Sequence, residues 1–369
     1  MQLLATETSS VFHRRLIATA MGLLVVVLTI QLLTQFSLVL QQLCIAAFVG
    51  YLILPVHRWL TRHRATPVIA FVLMVGLFLL GTTLIGQMVY FSVLDIQSKQ
   101  DVYQANLLEM LRSVLRQFPN IDESRLNQLF QEQMSNVSGI VDVARKILGN
   151  FVGILGQTLV VLVYLFFLLS EKTGLPVRLK AAFGEKRAEE VQIVLRRING
   201  SITAYIAVKT FMSVLTGVLT TVVLILFGVD LPVFWGLLAF ILNYIPYVGS
   251  LVAMFLPTVL ALVQFGSFLI AGEVLAALTI VHQGIGNAVE PFIAGNRVNL
   301  SPLVVILSLA FWGTIWGVVG MLLAVPLVVV IRTILDNIEE TKPIARMLAN
   351  QSSPDKSPEE SDKPETEEK

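Results

Sequence analysis

Charged side chains make up only 14% of the 369 residues, and long stretches have none. A soluble domain carries about 25%. The shortage leaves too little polar surface to solvate a chain of this length. Net charge is +1, which excludes the basic footprint of a nucleic-acid binder. There is one cysteine, Cys44, so no internal disulfide can form. A GxxxxGK[ST] loop is lacking, so no ATPase drives the chain by itself. No HExxH and no paired cysteine–histidine set points to a metal. GIGN at 284–287 follows no strand and fails as a dinucleotide fingerprint. Neither an enzyme nor a cofactor nor a metal is expected.

Hydrophobic residues, in contrast, reach 55%, with a mean hydropathy of +0.78. The apolar runs are continuous rather than alternating, which excludes a membrane β-barrel. The reading is an all-α polytopic membrane protein with about eight membrane segments. Five plain spans fall at 16–33, 36–56, 68–94, 151–169 and 205–227, the first two read as a tight hairpin. A sixth falls at 268–289, between two interrupted runs at 231–264 and 302–334. The first span follows Arg14 and Arg15 and is read as an uncleaved helix rather than a signal peptide. Domain organisation is then three N-terminal spans (1–94), an exterior arm (95–150), a C-terminal membrane core (151–340) and a disordered acidic tail (341–369).

Basic residues set the expected orientation. Arg14 and Arg15, then Arg58, Arg62 and Arg64, then the block from Lys172 to Arg197 all fall on one side, taken as cytoplasmic. Both termini are therefore expected in the cytoplasm of a bacterial cell, the protein lying in its inner membrane. In the arm, Leu107, Leu108, Leu111, Val114, Leu115 and Phe118 form one helical stripe. In the cytoplasmic block (171–203), Val191, Val194, Leu195, Ile198 and Ile202 share a face, on a helix expected to lead straight into the span at 205.

The interrupted runs hold 34 and 33 residues. One straight helix of that length would be about 50 Å long, against a hydrocarbon core of about 30 Å. Two full spans would need about 40 residues. Each run is therefore a re-entrant hairpin or a bent span. Re-entrant hairpins in both would place Asn296 in the cytoplasm, bent spans outside. Both runs carry a proline at the start (Pro232, Pro302), glycine near the middle, and another proline about 25 residues on (Pro257, Pro326). Paired, Gly/Pro-broken segments mark the central site of transporters.

Candidate path residues are Asn243, Tyr244, Pro246, Tyr247 and Gly249 in the first run, and Gly317 and Gly320 in the second. His282, Asn287 and Glu290 lie between the runs, because an ionisable residue at membrane depth is a functional candidate. Asn287 and Glu290, three residues apart, are expected on one helix face. Glu273 is the second carboxylate. Lys209 is read as snorkelling to the interface. Pro232, Pro257, Pro291, Gly295 and Pro326 are structural hinges.

The stretches FWGLLAFILNYIPYVGS, GNAVEPFIAGNRVNLSPLVVILSLAFWG and GVVGMLLAVPLVVVIR resemble the bacterial autoinducer-2 exporter family. Its Asn–Ile–Pro–Gly element matches Asn243, Ile245, Pro246 and Gly249. Its Glu–Pro–Gly element matches Glu290, Pro291 and Gly295. Its closing Gly–Pro element matches Gly320 and Pro326. The resemblance implies a homo-oligomeric inner-membrane permease that exports a small polar signal of autoinducer-2 type. It also implies an alternative, sodium (lithium)/proton antiport with Glu290 exchanging ions. From another class, a membrane scaffold that binds partners through its arm and tail remains open. Partners are thus the bilayer, a small polar solute or a cation and proton, and further copies of the chain, but no nucleic acid.

Overall fold

A computed structural model describes residues 2–62, 67–115, 157–168, 170–171, 174–294 and 300–349. No strand occurs among them. The chain begins with α1 (Gln2–Gln35), α2 (Ser37–Arg62), α3 (Pro67–Ser98) and α4 (Gln100–Leu115). α5 is Gln157–Leu168, followed by α6 (Leu175–Phe183) and the long α7 (Glu185–Leu226). Next come α8 (Pro232–Leu242), α9 (Val248–Phe265) and α10 (Phe268–Gly284). A π-helical turn (Ile285–Val289) leads to α11 (Glu290–Ala294). α12 (Pro302–Asp336) and α13 (Lys342–Met347) complete the described fold.

Five helices are long and apolar enough to span a membrane, or six counting a bent pair as one. α5 and α8 are shorter apolar helices. The bent pair is α1 and α2, which meet at 80° across Phe36. This corrects the expected tight hairpin. The amide of Phe36 donates to Leu32 and that of Leu40 to Phe36, so the helical ladder runs on through the break. A single residue inside a continuing ladder bends the chain but does not reverse it. The tail also needs correcting at its start. α13 folds back, with Ala345 buried and the Leu348 carbonyl accepting from the Ser301 amide. Residues 350–369, much of the arm (116–156) and Gly295 lie outside the described residues.

α7 is the mast of the C-terminal half. Its 42 residues extend about 63 Å, twice the hydrocarbon thickness. The first half carries the amphipathic face expected over residues 191–202, and the helix passes into the span without a break. Towards the C-terminal end of α7, Leu224 packs with Val229 of the link to α8, Ala261 of α9, and Val274 and Leu278 of α10. Towards the other end, Ile202, Tyr205 and Ile206 pack with Leu300, Val325, Val328 and Val329 of the α12 region.

Both interrupted runs are hairpins. In the first, the Asp230 amide donates to Gln264 Oε1 (2.8 Å), and Gln264 Nε2 donates to the Gly228 carbonyl (2.8 Å). The run therefore starts and ends at one level. Its turn is Asn243–Tyr247. Tyr247 has φ 60° and ψ −60°, and the Val248 amide donates across it to Pro246 (2.6 Å). That is a γ-turn of the rare, strained hand. Gly249 packs so close that a Cβ there would strike the Leu242 carbonyl.

In the second run, α12 is two helices joined at Gly317, with φ 63° and ψ −143°. Ser308 Oγ donates to the Ala324 carbonyl (3.2 Å), so residues 16 apart lie side by side. A Cβ at Gly320 would strike the Trp312 carbonyl. Pro302 and Pro232 sit in the first turns of their helices, where a missing amide costs nothing.

The hairpins enter from opposite ends. The base of the first meets the arm. Asp230 accepts from Lys99 Nζ and from the Tyr103 hydroxyl (both 2.7 Å), and Asn106 Nδ2 donates to the Gln264 carbonyl (2.6 Å). The hydrogen bond to Asp230 holds the Lys99 proton to higher pH than usual. Burial first, then the same carboxylate, does so for Tyr103. The base of the second hairpin lies by the basic block instead, where Arg197 donates to Asn337 (2.9 Å). The tips pack together. Ile245 shares one buried cluster with Leu309, Trp312, Trp316, Leu323 and Ala324.

Gly317→Ala forces a side chain into backbone space open only to glycine, at about 1–3 kcal/mol. It should lower the thermal midpoint in detergent by several degrees. Gly76→Ala, where a Cβ meets nothing within 4 Å, should leave it unchanged.

Candidate functional site

One face of α7 carries Lys209, Ser213, Thr216, Gly217 and Thr220 at helical spacing, and all are buried. Ser213, Thr216 and Thr220 are fully inaccessible. Ser213 lies about 12 Å along the helix from Tyr205 and about 20 Å from Leu226. This is a polar stripe near mid-span, in a helix whose outer face is lined with apolar residues such as Phe211, Val214 and Val218.

Each polar rung meets a different element. Lys209 Nζ contacts both carboxylate oxygens of Glu290, at 3.0 and 3.1 Å. The lysine side chain is 8% exposed and the glutamate 30%. Thr210 donates to the Ile206 carbonyl (2.7 Å), so Tyr244 is the donor in the 2.8 Å bond between the two hydroxyls. The ring of Tyr244 is held edge-on between Phe48 of α2 and Phe240 of α8. Asn243 Nδ2 donates to Ser213 Oγ (3.1 Å). Thr220 Oγ lies 3.3 Å from His282 Nε2. Between these rungs, Gly217 and Gly236 let α7 and α8 touch. A Cβ on Gly217 would stand 2.7 Å from the Gly236 carbonyl oxygen.

The sequence-predicted residues thus divide. Asn243, Tyr244, His282 and Glu290 converge on α7. Gly249 and Gly320 are buried, close-contact positions of the two hairpins. Pro246 stands in the first turn, where it has no amide to satisfy, and Pro257 and Pro326 are buried inside α9 and α12. Tyr247 is 59% exposed and Gly317 is exposed at its tip. Asn287 does not join Glu290. It is exposed and donates to Gln283 (2.7 Å). The π turn widens the helix just before Glu290 and shifts the register on which a shared face depended. Pro291 and Glu273 are exposed, and Glu273 sits near the other end of α10 from Glu290.

Lys209 does not snorkel. Its ammonium is buried against a carboxylate 81 positions away. Ser213, Thr220 and the unpartnered, buried hydroxyl of Tyr205 were also missed as members of the site. Their spacing held a signal, since polar residues at 209, 213, 216 and 220 fall on one helical stripe.

Chemically, the stripe offers hydroxyls, an amide and one neutralised ion pair. His282 Nδ1 also lacks a partner. Among the described residues no group of three or more metal-ligating side chains gathers. Lys209→Met should lose about 3 kcal/mol, because it leaves a carboxylate uncompensated in a mostly apolar setting. Adding Glu290→Leu should return most of that loss. A double-mutant cycle on denaturant midpoints measures the coupling.

Comparison with known proteins places these residues in a family. The profile of the AI-2E family transporter matches residues 16–340, which include both hairpins and the whole stripe. A Borreliella burgdorferi chain assigned to transport without a named substrate is 31% identical over 277 residues, 74% of this chain and 75% of that one. The AI-2 transport protein TqsA of Escherichia coli (strain K12) is 28% identical over 271 residues, 73% of this chain and 77% of its own. A sodium-lithium/proton antiporter of Halobacillus andaensis is 24% identical over 294 residues, 72% and 80% of the two chains. The match over most of the length, through both broken helices, makes the chain a member of the AI-2E family of transporters, a multi-pass helical membrane protein.

Proposed function

We propose that the chain is a secondary permease, not an enzyme, that exports a small uncharged solute of the autoinducer-2 type across a bacterial inner membrane. One observation carries the reading. Two hairpins enter from opposite ends and meet at Ile245, beside buried hydroxyl and amide groups of α7 and the first turn. Broken backbone at membrane depth belongs where the chain faces protein or a water-filled path rather than lipid. A hydroxyl-rich neutral solute needs donors and acceptors without net charge. Asn243, Ser213, Thr210, Tyr244 and Tyr205 supply them. Glu290 comes already neutralised by Lys209. Transport then consists of the two hairpin units moving about the shared contact, with Gly249 and Gly320 as their tight points and Gly317 as the turn of the second. The similarity to TqsA, an AI-2 transport protein, supports the choice of solute.

The name of the Halobacillus relative favours a second reading, alkali-cation/proton exchange at Glu290. The Lys209 ammonium on that carboxylate weighs against it. A scaffold role is the third. We further assign both termini to the cytoplasm, with homo-oligomers forming through the lipid-exposed faces of helices such as α1.

Labelled autoinducer-2 uptake into inverted vesicles separates the three readings. Export predicts saturable uptake, reduced about tenfold or more by Asn243→Ala, which removes a buried hydrogen bond at the path. Uptake no greater than in empty vesicles, with a sodium- or lithium-driven pH change lost in Glu290→Gln, would establish antiport instead. Neither signal from folded protein would leave the scaffold. Labelling of Asn296→Cys from the cytoplasmic side only is the expected outcome for the orientation.

A further inference from the structure

Glu290 is the carboxylate that the antiport reading would use, yet here it is occupied. Both of its oxygens lie 3.0–3.1 Å from Lys209 Nζ. The lysine is not a surface residue that drifted into range. It is 8% exposed, in the middle of a rigid helix, one turn from Ser213. Nor has it another charged partner, since Glu290 is the sole carboxylate bound to it among the described residues.

The electrostatics follow from the charge count. An ammonium and a carboxylate in contact sum to zero. A sodium or lithium ion that joined them would leave a net positive charge in a region of low dielectric, with its hydration shell partly lost. Such a site repels the ion. Without the ammonium, the same carboxylate would be a bare charge, and a small hard cation is its natural partner, since oxygen ligands suit such ions. A second oxygen waits nearby. The hydroxyl of Tyr205, one helical turn before Lys209 on the same face of α7, is buried and has no hydrogen-bond partner.

We propose that Lys209 is a tethered cation that keeps alkali-metal ions off Glu290, and that its removal opens a sodium- and lithium-binding site formed by Glu290 and Tyr205. Lys209 is then a specificity-determining residue. It makes a neutral-solute path out of a scaffold that would otherwise bind a cation. The inference rests on the proposed path only for the placement of this pair. Its test reads ion binding, so it can fail while solute flux stands, and the reverse.

The experiment compares full-length wild type, Lys209→Arg, Lys209→Gln and Lys209→Gln/Glu290→Gln, each purified in sodium, lithium and choline chloride at equal ionic strength. Thermal midpoints are measured as each salt is titrated. Wild type and Lys209→Arg should show the same midpoint in all three salts. Lys209→Gln should rise saturably with sodium or lithium, by roughly 2–4 °C, and not with choline. The double variant should lose that response, and Tyr205→Phe in the Lys209→Gln background should weaken it several-fold. A saturable sodium shift in wild type as large as in Lys209→Gln would overturn the proposal. So would a folded Lys209→Gln chain that ignores sodium and lithium. If Lys209→Gln is monodisperse in sodium or lithium but aggregates in choline, the proposal is supported. Aggregation in all three salts would overturn it, because the proposal requires these ions to replace the lost ammonium.

Discussion

Backbone amides and carbonyls at membrane depth must find partners inside the protein, and the rest of this structure is arranged around that need. Two helices stop halfway and turn back, which ordinarily strands several polar groups in hydrocarbon. Here the amides of Asn243, Tyr244, Ile245, Val248 and Gly249 all donate within the first turn. Pro246 occupies a position where no amide has to be satisfied. Gly317 takes up the second turn in a conformation closed to other residues. The two hairpins then meet through Ile245 and the Trp312–Trp316 pair, whose rings are 4.8 Å apart. Trp316 in turn donates to the Leu33 carbonyl of α1 (3.1 Å), tying the N-terminal helices to the same point.

A contact of this kind couples geometry to function. The hairpins share one short interface and are each anchored at the opposite end, the first to the arm through Asp230 and the second to the N-terminal half of α7 through Asn337. In the proposed mechanism, displacing either tip would open the α7 stripe to one side of the membrane. Ser213, Thr216 and Thr220 are fully buried in this structure. Asn243 and Tyr244 belong to the first turn and bond to α7, so under the proposed mechanism they are the groups whose partners would change.

Much of this was legible in the residue string, and the division between what was and was not is physical. Prolines and glycines constrain the local backbone, so the two breaks could be read at Pro246–Gly249 and Gly317–Gly320, and their hairpin form bounded by length. Helical periodicity likewise showed the amphipathic first half of α7. Burial and pairing, by contrast, depend on elements far apart in sequence. Lys209 near the start of a span looks like any interfacial lysine until Glu290 is brought beside it. The Asn287–Glu290 pairing presumed 3.6 residues per turn, and the π turn altered that count. The α1–α2 link looked like a hairpin because short links usually reverse a chain, whereas here the helical ladder continues through Phe36.

The central claim is that the tip-to-tip contact must open for solute to pass. Ile245→Cys and Leu309→Cys, introduced together in a Cys44→Ser background, place one thiol on each hairpin within the shared cluster. Solute flux would be measured before oxidation, after oxidation, and after reduction. The account predicts flux that is lost on cross-linking and returns with reductant, with the single-cysteine chains unaffected. Undiminished flux through fully cross-linked protein would contradict it.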